Sequence, residues 1–144
     1  MTPPRASLSL TVLIFLSVYI TSDLLYKVIM PLLNKEKNQA TAGILVVDSN
    51  RKIVSLNRKF IELWNLPKHV VVSRDDEQAL EFASSQIEKP TSFIKQVREL
   101  YWQTKLEIHD IITLKDGRML ERYSQPQWSD TKYAGRVWIC REVE

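Results

Sequence analysis

Residues 135–143 read Gly-Arg-Val-Trp-Ile-Cys-Arg-Glu-Val, and no other stretch constrains the fold as tightly. At the two-residue period of a strand, Val137, Ile139 and Val143 fall on one face and Trp138 and Cys140 on the other. Such a strand belongs inside a sheet that is covered on both sides, because a bare face would leave an apolar patch in water. With helices over one face, the other is expected to expose the aromatic patch around Trp138 unless a further element or a second copy of the chain buries it.

The partners of that strand are legible upstream. Residues 107–114 place Ile108, Ile112 and Leu114 on one face at period two. Lys115-Asp116-Gly117-Arg118 then makes a hairpin turn, since Asp-Gly tolerates the positive φ such turns require. Residues 119–125 return as the paired strand, and residues 127–134 read as a polar loop before the last strand. Nearer the start, residues 43–48 (Gly-Ile-Leu-Val-Val-Asp) are short, apolar and β-branched, and a turn at residues 49–52 leads into residues 53–56, forming a second hairpin.

Between the hairpins the period changes to that of helices. Asn57 is a plausible N-cap for a segment carrying Phe60, Ile61, Leu63 and Trp64, stopped by Pro67. His69 and the valines after it read as loop. Ser73-Arg74-Asp75-Asp76 resembles a capping box ahead of Ala79, Leu80, Ala83 and Ile87. Past Pro90, Phe93, Val97, Leu100 and Tyr101 form a second stripe, with Trp102 near its end. The expected fold class is α+β: a five-stranded antiparallel sheet with short helices on one face, plus an N-terminal apolar helix.

That apolar helix is expected over residues 1–33, followed by a polar connector at 34–42 and the folded domain at 43–144. Residues 6–22 carry no charge, roughly the minimum for a membrane span, and Pro31 ends or kinks the segment. It reads either as a membrane anchor or as a soluble helix covering a sheet or partner. In the first case Lys27, Lys35, Lys37, Arg51 and Lys52 outweigh Arg5 and keep the domain on the cytoplasmic side. The 20 Lys and Arg are scattered among 17 Asp and Glu, so no basic stripe for nucleic acid forms. A single cysteine and two distant histidines leave no zinc spacing.

Two strands, a run of short helices and a three-stranded meander are the order of a PAS domain. Residues 43–48 through Asn57-Arg58-Lys59-Phe60 and Trp64 resemble its opening; Lys115-Asp116-Gly117-Arg118 with residues 121–126 looks like the hairpin of bacterial PAS modules attached to histidine kinases and diguanylate cyclases. Residues 135–138 and 141–143 are similar to their last strand. The resemblance spans residues 40–144 and implies a non-catalytic sensory module that dimerises. Its output would be a histidine kinase or cyclase, in cis or in trans, through ligand- or partner-dependent dimer rearrangement. The alternative is a ligand-free adaptor that docks partners around Trp138. PAS domains often close with an Asp-Ile-Thr-like tripeptide; here Glu142-Val143-Glu144 keeps the acidity without the hydroxyl.

No nucleophile elbow, zinc-protease helix or phosphate-binding glycine loop occurs among the three glycines. The family places ligands between helices and sheet, which makes Phe60, Trp64, Phe93, Tyr101, Trp102, His109 and Arg122 the candidate pocket. Asn57, Asp116, Gly117, Trp138, Cys140 and Glu142 are the candidate signalling or interface positions. No cofactor is required: residues 90–105 lack the histidine of haem-binding relatives, and Cys140 is on the last strand, away from the helical position that flavin-photosensing relatives use. Asp75 and Asp76 are read as helix-capping residues.

Overall fold

The computed structural model describes residues 42–144. The expectations for residues 1–33, for the membrane anchor and for nearly all of the connector lie outside them. Five strands form one antiparallel sheet: β1 Gly43–Asp48, β2 Ile53–Leu56, β3 Ile108–Thr113, β4 Met119–Ser129 and β5 Lys132–Val143, in the order β2-β1-β5-β4-β3. Four helices, α1 Arg58–Trp64, α2 Lys68–Ser73, α3 Asp76–Ser84 and α4 Pro90–Trp102, lead from the β2 edge to the β3 edge. The meander β3-β4-β5 then brings the last strand back to the centre, beside the first.

Local chemistry explains the boundaries. Asn57 caps α1 by accepting from Phe60 N at 3.0 Å, and it also joins the helix to β1, accepting from Ile44 N and donating to the Ala42 carbonyl. Asp75, not Ser73, caps α3, accepting from Glu77 N at 3.0 Å. The valines at 70–72, read as loop, form α2 because Pro67 opens it and Val70 is buried in the core. The loop expected at residues 127–134 is likewise absent. β4 and β5 pair to Ser129 and Lys132 and turn on Asp130, which has φ 55°. Gly117, at φ 92°, closes the β3-β4 hairpin in the manner expected of its turn.

The packing is set by β5. Gly135 has φ 142°, and a Cβ there would be 1.9 Å from the Val47 carbonyl oxygen, so only glycine lets β5 run against β1. Trp138, Cys140 and Arg136 face the helices, as do Leu45 and Val47 of β1. On the opposite face Ile44, Val46, Val137 and Ile139 are each at most 3% exposed, so both faces of the central strands are buried. The Arg136 side chain is fully buried, and among the described residues no carboxylate forms an ion pair with it. Its Nη2 donates to the carbonyls of Leu100 and Leu106 at 3.3 and 2.7 Å, and its Nη1 to Ser124 Oγ at 2.9 Å. The negative end of the α4 dipole thus stands in for a counter-ion, while burial pulls the guanidinium pKa down.

Candidate functional site

Between the helices and the inner face of the sheet lies a cavity of about 50 Å³. Its floor is Leu45, Arg122, Trp138 and Cys140 from three adjacent strands; Phe60 and Trp64 of α1, Ala79, Leu80 and Ala83 of α3, and Phe93, Val97 and Tyr101 of α4 make the roof. The helical stripes dictate this arrangement. Along α4 the 100° step places Val97, Leu100 and Tyr101 within about 80° of Phe93, so one side of the helix faces the sheet. The rings of Phe60, Trp64 and Phe93 form a tilted chain with centroids 6.4 and 6.1 Å apart.

Two ionic groups reach this apolar space, each already matched. Arg122, 2% exposed, holds Asp110 with two bonds, Nε to Oδ1 at 2.7 Å and Nη2 to Oδ2 at 3.0 Å, and donates from Nη2 to Gln96 Oε1 at 2.6 Å. Its guanidinium stands over the rings of Phe93 and Trp138, 5.2 and 5.7 Å from their centroids. Asp76, 4% exposed, takes Arg51 on Oδ2 at 2.9 and 3.3 Å. Arg51 also lies 4.4 Å above the Tyr101 ring and reaches Glu77, which Arg98 binds from its other side.

Burial raises the Asp76 pKa against the pull of Arg51. It pushes Tyr101 well above the ordinary tyrosine value, with the Asp76 charge adding to the effect. Trp138 Nε1 donates to the Tyr101 hydroxyl at 3.0 Å, joining β5 to α4 across the cavity. The Cys140 thiol, buried on the floor, is pushed up to about 12 and is therefore held protonated, unsuited to nucleophilic or thiolate chemistry.

The structure brings Phe60, Trp64, Phe93, Tyr101 and Arg122 together, and leaves out two residues expected with them. Trp102 is 84% exposed, because nine helical steps from Phe93 turn it by about 180°, onto the solvent side of α4. His109 is on the other face of the sheet: Arg122 pairs with Asp110, and the alternation of β3 sends His109 outward to stack on Tyr123 at 4.0 Å and meet Glu121 Oε2 at 2.7 Å. Trp138 and Cys140 are also relocated. Instead of forming an outer patch they point inward, and Trp138 is only 6% exposed, so the docking surface expected around it does not exist on this face.

Asn57 serves the α1-β1 junction. Asp116 is exposed and bonded to Arg118, whose Nη1 donates to the Leu63 carbonyl at 2.8 Å, and Glu142 is exposed near the end of β5. Arg51, Asp76, Asp110 and Gln96 were not anticipated around the cavity. Asp76 was visible only as a cap, and nothing local in the sequence joins it to Arg51. No histidine lines the cavity, and among the described residues no group of three or more His, Cys, Asp or Glu side chains is placed to hold a metal ion.

A family model described as PAS fold matches residues 38–128. This is more than half of the chain, which therefore belongs to the PAS fold family. Solved structures share the architecture at low identity. The PAS domain of BvgS from Bordetella pertussis matches with TM-score 0.54 and 12% identity over 72% of this chain and 78% of that one. A histidine kinase domain from Haloarcula marismortui matches with TM-score 0.52 and 10% identity over 72% and 90%. A sensor region of a sensor histidine kinase matches with TM-score 0.57 and 9% identity, over 80% of this chain but 47% of that one. At such identities the likeness is one of fold. No curated protein matches the chain in sequence.

Proposed function

We propose that this chain is a sensory input module whose inner cavity perceives the signal and whose β5 strand passes it on to a kinase. The observation that carries this reading is the make-up of the cavity wall. Arg122 and Asp76, two ionic groups on an otherwise apolar surface, are each less than 5% exposed and neutralised from outside the cavity by Asp110 and Arg51. Packing alone has no need of buried ions, which cost stability relative to apolar residues. β5 is the element best placed to respond. Trp138 and Cys140 touch the cavity, while Arg141 and Glu142 lie one and two residues further along the same strand.

An occupant that favours one arrangement of α3, α4 and β5 shifts the population toward it. Two copies packed through a shared surface would convert that shift into a change in kinase output. Support for a kinase comes from the fold's neighbours, which include sensor histidine kinases. The cyclase output and the membrane tether have no comparable support, and among the described residues no helix is long and apolar enough to cross a membrane. The test is a graft: residues 38–144 replace the PAS domain of a histidine kinase, and autophosphorylation is measured with the native cavity and with Arg122→Gln. A severalfold change in rate at unchanged kinase folding supports the proposal. Identical rates for both versions contradict it.

A further inference from the structure

The four helices cover one face of the sheet, yet the other, outer face is equally dry at its centre. Ile44, Val46, Val137 and Ile139 are joined there by Ser55 of β2, paired with Val46, and Gln127 of β4, paired with Gly135, and all six are at most 8% exposed. Side chains on an open sheet face keep contact with water, so this face is covered. The core that α1–α4 build with Leu45, Val47, Trp138 and Cys140 includes none of the six. The cover also has an edge: on the same face, Ile111 of β3 is 52% exposed and Met119 at the start of β4 is 42% exposed.

The covered strip crosses β2, β1, β5 and β4, a width of about 14 Å at the spacing of neighbouring strands. A helical segment of about ten residues reaches about 15 Å, so a short cover suffices. Residues 1–41 precede Ala42, and β1, in the middle of the strip, begins one residue later. Two stretches ahead of it are apolar. Residues 6–22 carry no charge and place apolar residues on every side at helical spacing, which suits surroundings that are apolar all round. Residues 24–33 open with a single stripe: Leu24, Leu25, Val28 and Ile29 fall within about 140° of one another, with Asp23 and Lys27 opposite. A one-sided stripe suits a sheet face. Residues 34–42 then reach at most about 30 Å, enough to bring the segment back over β1.

We propose that residues 24–33 dock across the outer face of the sheet, packed on β1 and β5. β5 then carries the cavity on its inner face, through Trp138 and Cys140, and the N-terminal segment on its outer one, through Val137 and Ile139. The test reads the accessibility of one engineered thiol in the full chain. Ser55→Cys places it beneath the segment with little change in size. The native Cys140 is buried and held protonated, hence silent toward a maleimide. Ile111→Cys, beyond the edge of the covered strip, is the reference.

The expected result is that Ser55→Cys reacts with maleimide about tenfold or more slowly than Ile111→Cys, and that adding Val28→Asp and Ile29→Asp brings its rate up to that of the reference. If the charged pair prevents folding, judged by tryptophan fluorescence, Val28→Ala with Ile29→Ala serves and gives a smaller rise. The protection holds on about hundredfold dilution, as a cover within one chain requires. The proposal is overturned if Ser55→Cys reacts as fast as the reference from the start, if the substitutions at Val28 and Ile29 leave it protected, or if dilution alone exposes it, which would make a second copy of the chain the cover.

Discussion

Removing Arg51 is expected to cost more than removing Asp76, although the two form one ion pair. The Asp76 side chain is 6% exposed and that of Arg51 is 24% exposed. Arg51→Ala strands a carboxylate in the core, and breaking a buried pair in this way costs about 3–5 kcal/mol. Tyr101 stays beside the carboxylate and softens the loss, which puts the expectation at about 3 kcal/mol. Asp76→Ala leaves an arginine that reaches water and still holds Glu77, so the loss is that of a charged hydrogen bond, about 2 kcal/mol. The double variant strands no charge and should cost less than Arg51→Ala alone, giving a coupling of about 2 kcal/mol or more.

Urea unfolding of the full chain, followed by tryptophan fluorescence, measures all four corners of this cycle. The pH dependence supplies an independent sign. Burial already raises the folded-state pKa of Asp76 above its ordinary 3.8, and losing Arg51 raises it further. A carboxyl whose folded pKa is raised loses stability as the pH climbs from the unfolded value through the folded one. The cost of Arg51→Ala should therefore shrink in acid and reach its full size at neutral pH. A coupling below about 0.5 kcal/mol, the size expected of an exposed pair, would mean that Asp76 is not desolvated beside Arg51, as would a cost that grows on acidification.

Three further outcomes follow from the geometry. Gly135→Ala should destabilise by about 3 kcal/mol or more, since its Cβ meets Val47 oxygen at 1.9 Å, while Gly117→Ala, with nothing within 4 Å, should cost only about 1 kcal/mol from its positive φ; thermal melts compare them. Trp102→Ala should stay within about 0.5 kcal/mol of the parent, whereas Trp138→Ala should lose about 3–5 kcal/mol in the same melts, and the reverse order would mean that the faces of α4 and β5 are misassigned. The Glu77 pKa is lowered from its ordinary 4.5, chiefly by the hydrogen bond from Arg98. Its contribution is thus present above pH 4.5 and lost as the pH falls through the lowered folded value, so Glu77→Gln should flatten the acid limb of the stability curve by lowering stability at neutral pH while leaving strongly acid pH nearly unchanged.

What the sequence disclosed was governed by range. Asn57 and the Asp116-Gly117 turn act through neighbours a few positions away, and the strands they border follow from alternation, so the order of elements was readable. Alternation also separated Trp138 and Cys140 from Val137 and Ile139. It sorts residues onto two faces without saying which face meets the helices, and that missing sign put Trp138 on the outside and His109 on the inside. Trp102 was misplaced for a simpler reason: its distance from Phe93 in helical steps already turns it to the far side of α4. The α2 helix was hidden by three consecutive valines, whose weak helix propensity is overridden by the packing of Val70. Residues 127–134 read as loop because Pro126 and a run of polar residues suit one, yet pairing of Gln127 with Gly135 and of Trp128 with Tyr133 carries the ladder past them. The Arg51–Asp76 pair joins a turn to a helix 25 residues away and left no local mark.

If the state of the cavity is felt along β5, amide chemical shifts in the full chain will register it. Ala83→Leu alters the cavity from α3, on the opposite wall from β5. The prediction is that the amides of Arg141, Glu142 and Val143, none of which lines the cavity, move together with those of Trp138 and Cys140, which do. Shifts confined to the lining residues, with the end of β5 unmoved, would contradict it.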